Sequence, residues 1–246
     1  MSEIQSLARG LKILDLMAQS DDVVRITDIA TELDIDKSSA TRLLQTLANY
    51  GYAEQDADTH RYRLGPKVIL LGQSLLKRVP LRDQARAYLE ELVAQTGECA
   101  HLAVHSQGQA LYIDQVESSA VLRVNTGVGT MAPLHCTALG KIMLAFDRLP
   151  LPTHLDAFTT HTLTDSAALQ AHLAQTRRQG YAIDDEEYHH GVRCVAAPVF
   201  NADGRLVGAI GISGPSRRID SEQLPELGQI VVKTASLLSD RLGHKA

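Results

Sequence analysis

RITDIATELDIDKSSATRLLQTLANYGYAE, residues 25 to 54, is the stretch whose reading decides the fold. It reads as two short helices joined by a tight turn. In the second, Ala40, Leu43, Leu44 and Leu47 recur at i, i+3, i+4 and i+7, so one face is apolar and packs inward. The opposite face carries Ser38, Thr41, Arg42, Gln45 and Asn49, among which Arg42 alone is charged. A solvated face more often carries Glu and Lys in i, i+4 pairs. Neutral donors and acceptors with one Arg instead suit a helix laid against base edges. The spacing predicts a recognition helix in a helix-turn-helix. Periodicity alone also permits a plain helical hairpin inside a larger domain.

The flanking residues agree with the first reading. Thr27 is placed to cap the first helix, which turns Ile29, Ala30 and Leu33 inward, and Asp36 to cap the second through the amides of Ser38 or Ser39. Gly51 ends it, and Ile35 plugs the corner between the two. Tyr52 to Gln55 and Arg61 to Leu64, separated by the polar turn 56 to 59, pair as a hairpin, which makes the motif winged. DNA contacts are then expected from Thr27, Lys37, Ser38, Ser39, Thr41, Arg42 and Gln45, with Arg61 and Arg63 on the wing.

Charge opposes this reading. Residues 1 to 66 hold seven Lys and Arg against eleven Asp and Glu, a net of −4, where a DNA-binding domain usually has a basic footprint. The opposition is eased locally. Lys37, Arg42, Arg61 and Arg63 lie on the recognition helix or the wing, while Asp15, Asp21, Asp22 and Glu32 lie elsewhere. With few phosphate contacts per subunit, binding depends on dimerisation and on salt.

The chain of 246 residues, 44% apolar, suffices for one large or two ordinary domains. No apolar run approaches the roughly 18 residues needed to span a bilayer, and the start lacks the pattern of a signal peptide, so a soluble protein with no membrane partner is expected. Cys99, Cys136 and Cys194 are odd in number and widely spaced, which suggests neither a disulfide framework nor a zinc ribbon and fits a reducing cytoplasm.

Upstream of the motif, Ile4, Leu7, Ala8, Leu11, Leu14 and Ala18 trace a helical stripe with Ile13, Leu16 and Met17 off it, more apolar surface than a three-helix domain buries. After Gly65-Pro66 a second stripe, Val68, Leu71, Leu75, Leu76 and Val79, reads as a linker helix or as the first helix of the next domain, and 81 to 96 as a further helix. Cys99 to His105, Ala110 to Val116 and the short run Val121 to Val124 are strand-like. Helices are predicted over 137–146, 166–179 and 221–242, the last with Pro225 fraying its first turn. Strands over 193–200 and 206–213 are joined by the turn residues 201 to 204. The class is α+β.

At this point the residues carry a resemblance. IQSLARGLKILDLM at the start, IATELDIDKSSATRLLQTLANYGY, PLHCTALGKIMLAF at 133 to 146 and GYAIDDEEYHHGVRCVAAPVFNADGRLVGAIGISGP at 180 to 215 resemble the IclR family of bacterial transcription regulators over essentially the whole chain. The resemblance implies a winged helix-turn-helix over 1–66, a linker helix over 67–80 and a GAF/PAS-like effector domain over 81–246. It implies a double-stranded DNA operator, a small organic-acid effector, and a homodimer or dimer of dimers, with no cofactor and no metal. It places the effector among Leu122, Val124, Leu134, Thr137, Ala138, Leu139, Asp184, Val192, Cys194 and Ser213. Chemistry supports the placement, since Ala138, Leu139 and Gly140 would present amides at a helix N-terminus, where a carboxylate is stabilised.

Two readings of other classes compete. His135-Cys136 with Asp184, Glu186, Glu187, His189 and His190 supplies the residue types of a cysteine or metal-assisted hydrolase, although neighbours in sequence usually point apart and the Glu-Glu-x-His-His run lacks a helical i, i+4 spacing. The other is a ligand-binding protein that uses its helix-turn-helix only to dimerise, against which the polar face of the recognition helix speaks.

Overall fold

The computed structural model describes residues 3–20, 23–76, 80–124, 126–147 and 149–245, apart from the side chain of Leu76. Asp21, Asp22 and Val79, used above, lie outside the described residues. The chain divides into two compact units, Met1–Arg78 and Val79–Ala246.

In the first unit helices α1 (Gln5–Gln19), α2 (Ile26–Glu32) and α3 (Lys37–Asn49) are followed by the hairpin β1 (Ala53–Gln55) and β2 (Tyr62–Leu64), then α4 (Lys67–Leu76). The Asp36 carboxylate caps α3, accepting from the Ser39 amide at 2.9 Å and from the hydroxyls of Ser38 and Ser39 at 2.5 and 2.8 Å. These bonds hold its carboxyl well below the usual range. At the other end the Tyr52 amide donates to Leu47 O and the Gly51 amide to Ala48 O, both at 2.9 Å, with Gly51 at φ +78°. That is a Schellman closure, and it turns the chain into the wing. Thr27 does not cap α2 as expected. The helix is entered from Arg25 without a side-chain cap, and Thr27 sits inside it with its hydroxyl donating to Asp28 Oδ1 at 3.2 Å.

The core of this unit is Ile13, Met17, Ile29, Ala40, Leu44, Ala53 and Tyr62. The inward face of α1 is therefore the one carrying Ile13 and Met17, while Ile4, Leu7 and Leu11 of the predicted stripe are exposed. On α4, Ile69, Leu70, Leu71 and Leu75 are exposed as well.

The second unit is a six-stranded antiparallel sheet in the order β5-β4-β3-β8-β7-β6. Its strands are β3 (Cys99–Ser106), β4 (Gln109–Val116), β5 (Met131–Pro133), β6 (Ala182–Asp185), β7 (Val192–Phe200) and β8 (Leu206–Pro215). The helices are α5 (Pro80–Thr96), α6 (Ala138–Phe146), α7 (Ser166–Gln179) and α8 (Leu224–Arg241). Alternation sorts the strand residues into two faces. Ala103, Tyr112, Ala182, Ala196 and Ala209 join Leu139, Ile142, Met143, Leu169 and Leu173 in a core under α6 and α7. The buried residues Ala100, Leu102, Val195, Ala197, Ile210 and Ile212 alternate with these and face the side of α5 and α8. There Asp114, 3% exposed, accepts from Arg86 Nη1 of α5 at 3.2 Å.

Three sequence expectations are corrected here. Residues 121 to 124 form no strand: Leu122 O accepts from Arg218 and Arg123 pairs with Glu117, so this backbone joins no ladder, and the edge strand is β5 instead. Strand β6 was not expected from sequence, being only four residues of mixed polarity. Pro225 stands in the first turn of α8, where a missing amide leaves no bond unmade, and a 3-10 turn, Ser221–Gln223, precedes the helix.

Gly140 tests the packing of α6. An alanine in mid-helix is worth about 1 kcal/mol over glycine by propensity alone. A Cβ here, however, would lie 2.5 Å from Leu134 Cα and 2.6 Å from Leu134 O. Gly140→Ala is expected to lower stability by about 1 to 3 kcal/mol in chemical denaturation. An unchanged or raised midpoint would contradict the packing described.

Candidate functional site

On α3 the side chains of Lys37, Ser38, Arg42, Gln45 and Asn49 are exposed, while Ser39 and Thr41 are half-buried. The donor protons of three hydroxyls are already engaged: Ser38 and Ser39 donate to Asp36, and Thr41 donates to Lys37 O at 2.8 Å. What these hydroxyls have left to offer is acceptor capacity. The side chains of Lys37, Arg42, Gln45 and Arg61 make no hydrogen bond or ion pair among the described residues. Arg63, by contrast, pairs across the wing with Glu54 at 3.3 Å, so a phosphate would have to compete for it. Beside this face runs a groove of about 820 Å³, lined by Leu7, Leu11 and Leu14 of α1, Arg42 and Leu43 of α3, and Leu71 of α4.

In the second unit the register collects the predicted effector residues. Asp184 is the direct cross-strand partner of Cys194, and Cys194 of Ser213, so the three stand abreast on the α6 side of the sheet. Val192, two residues along β7, shares that side, half-buried. Thr137 caps α6, its Oγ1 accepting from the Gly140 amide at 3.2 Å and donating to Pro133 O at 2.7 Å. Gly140 is therefore no free donor, contrary to expectation. The amides of Ala138 and Leu139 have no acceptor among the described residues. Ala138, Leu139 and Leu134 are buried. Leu122 is not gathered with them, its side chain being 67% exposed on the loop before β5, and Val124 on the same loop is half-buried.

Two groups that sequence reasoning missed complete this face. Lys141, wholly buried, ion-pairs with Glu187, donates to Ile183 O at 2.8 Å and lies 3.5 Å from His172 Nε2. A lysine in an apolar helix run gave its charge but not its depth. His101 Nε2 lies 2.6 Å from Ser213 Oγ, bonded across two strands. In sequence it was one polar residue in a strand, and only the β3–β8 register brings it to Ser213.

Burial dominates the electrostatics. It pushes the Asp184 carboxyl up to about 7, against the amides of Glu187 and Tyr188 and the charge of Lys141, which lower it. It pushes the Cys136 thiol up to about 12 and the His101 imidazole down to about 4. Cys136 is thus no activated nucleophile. His135 turns away from it, with Nε2 3.0 Å from Asp156 O. The run from Glu186 to His190 disperses as well. Glu187 goes to Lys141, Glu186 accepts from the Gly191 amide at 2.7 Å, His189 lies on the Tyr188 ring, and His190 faces His161. Among the described residues no three His, Cys, Asp or Glu are grouped to hold a metal ion.

The family model described as bacterial transcriptional regulator IclR C-terminal matches residues 73–240, and the IclR helix-turn-helix domain matches residues 6–57. The chain belongs to the IclR family. It is 35% identical over 252 residues to the HTH-type transcriptional regulator XynR of Escherichia coli (strain K12), covering 100% of each chain. It is 37% identical to the regulator BhcR of Paracoccus denitrificans (strain Pd 1222), covering 96% of this chain and 86% of BhcR. The crystal structure of an IclR transcriptional regulator from Alicyclobacillus acidocaldarius superposes with a TM-score of 0.83 at 26% identity, covering 97% and 99%. This IclR-family protein is a DNA-binding transcriptional regulator and not an enzyme. No helix among its described residues is long and apolar enough to cross a membrane.

Asp184 gives the regulator a pH dependence of defined sign. Its carboxyl is raised from 3.8 to about 7 on folding, so over that range the native state keeps a proton that the unfolded chain releases. The contribution to stability is full below about pH 4, falls as pH rises, and levels off above about 7. Asp184→Asn, a neutral mimic of the protonated acid, is expected to gain on the parent in urea midpoint between pH 5.5 and 8, in a comparison at about those two values. Parallel profiles would show that this carboxyl is not held protonated.

Proposed function

We propose that this regulator binds a pseudo-palindromic operator as a dimer and is controlled by a small organic acid held on the α6 side of the second unit. The observation that carries the reading is the register that sets Asp184, Cys194 and Ser213 abreast on the side covered by α6, whose first two amides have no acceptor among the described residues. A carboxylate on the amides of Ala138 and Leu139 would be favoured by two hydrogen bonds and the helix dipole. Asp184, Cys194 and Ser213 would meet the ligand's other end, with Thr137, Leu134 and Val192 shaping the wall. Leu122 and Val124 would join only if their loop folded over the ligand. Twofold pairing suits the exposed apolar residues of α1 and α4, since surface of that kind on a small domain marks an interaction site. A cytoplasmic location suits an operator-binding protein.

On DNA, Arg42 and Gln45 would reach base edges, Lys37 and Arg61 would meet phosphates, and Thr27, Ser38, Ser39 and Thr41 would contribute acceptors or backbone contacts. Light scattering is expected to give two chains or a multiple of two per particle. In gel-shift titrations Arg42→Ala should weaken operator binding by about 1 to 3 kcal/mol, and Arg61→Ala should weaken binding to all duplexes alike. A particle of one chain would overturn the dimer, and unchanged affinity in both variants would overturn the assignment of the DNA-binding face.

The effector is sought by thermal shift with a panel of about a hundred metabolites. An acid at a hundredfold excess over its dissociation constant stabilises the native state by about 2.7 kcal/mol. Ala138→Phe is expected to abolish the shift produced by the best acid. Equal shifts in parent and variant would place the carboxylate elsewhere.

A further inference from the structure

His101 is 2% exposed and stands on the α6 side of β3, edge-on to the Tyr112 ring at 5.6 Å between centroids. Its Nε2 is engaged with Ser213 Oγ. Its other nitrogen, Nδ1, is buried with no hydrogen-bond partner among the described residues. Along the same row of the sheet stand Gln115 on β4, whose Oε1 accepts from the Gly127 amide at 3.1 Å, and Gly211, Ala196 and Ala182, which have no side-chain polar atom to offer it. A buried ring nitrogen of this kind is costly to leave unpaired, and natural cores seldom do so without a use for it.

Burial keeps the imidazole neutral near pH 7, so one nitrogen carries a proton and the other a lone pair. If the Ser213 hydroxyl donates to Nε2, then Nδ1 is a donor; if Nε2 donates to Ser213, then Nδ1 is an acceptor. A ligand keto oxygen satisfies only the first arrangement and a methyl group neither. A hydroxyl satisfies both, because it can donate or accept.

We propose that His101, oriented by Ser213, reads a hydroxyl group on the effector, so that this domain selects small hydroxy acids over the corresponding unsubstituted acids. The proposal rests on the effector site lying on the α6 side of the sheet. Asp184, Cys194 and Ser213 border the ligand from one row, and His101 enters from the next.

Isothermal calorimetry on the full-length protein with three pairs of probes tests it: glycolate and acetate, lactate and propionate, 4-hydroxybenzoate and benzoate. In the pair that fits, the hydroxy acid is expected to bind about tenfold tighter or more, the equivalent of one hydrogen bond of about 1.4 kcal/mol. His101→Phe keeps an aromatic ring beside Tyr112 and removes both nitrogens. It should lose the preference for the hydroxy acid, the two affinities of the pair drawing level, since of the ligand's groups His101 meets only the hydroxyl. His101→Asn, which returns a polar atom near the place of Nδ1, should recover part of it. Melting without ligand checks that each variant folds, and His101→Leu serves if the Phe variant does not. Acids that bind the parent without preference, or a preference that survives in the Phe or Leu variant, would overturn the role of His101 and leave the effector site standing. No binding by any of the six would overturn both.

Discussion

A lysine ammonium with no accessible surface holds the second unit together. Lys141 projects from α6 into the interior, where an unpaired charge would be prohibitive, and its presence there is sustained by Glu187 and by Ile183 O of β6. Removing one partner of such a buried pair typically costs about 3 to 5 kcal/mol, because the other charge is left behind. The pair joins α6 to β6 and to the turn that follows it. It thereby fixes where α6 begins relative to the polar row on the sheet.

From that constraint the chemistry of the face follows. Asp184 is two residues past Ala182 on β6 and three before Glu187, so the same turn that brings Glu187 to Lys141 directs the amides of Glu187 and Tyr188 onto Asp184 Oδ1. The carboxyl is held by donors yet buried, and burial prevails. A carboxyl of this kind, near neutrality, can meet an anionic ligand without like-charge repulsion by keeping its proton. The thiols of Cys136 and Cys194, both pushed up by burial, add polarizable bulk and no reactivity. A regulator needs a face that binds without turning over its ligand, and these titrations suit that need.

The helix-turn-helix was legible because its signals are local. A 3.6-residue period, a capping Asp36, a Gly51 stop and a hairpin each act within a few residues, and the structure keeps all four. Thr27 misled because an N-cap depends on one residue's backbone angles, and α2 starts two residues earlier than its polarity suggests. The face of α1 was ambiguous for another reason: apolar residues surround it, and which side turns inward is set by α3 and β2, not by its own period. In the second unit, β7, β8 and the span of α6 were readable, whereas β5 and β6 are too short to show alternation. His101 and Lys141 were beyond reach, since their roles arise from residues 112 and 46 positions away in sequence. Leu122 stood in the list only through the resemblance, and its backbone is engaged by Arg218 with the side chain outward.

Amide hydrogen exchange of the full-length protein, with and without an acid that raises its melting temperature, tests most directly whether the effector site lies where α6 begins. Ligand bound there should slow exchange at Ala138 and Leu139, at 184 to 188 and along 192 to 194, because a ligand that binds the native state raises the free energy of opening around its contacts. Protection confined to the first unit, with those amides unchanged, would contradict it.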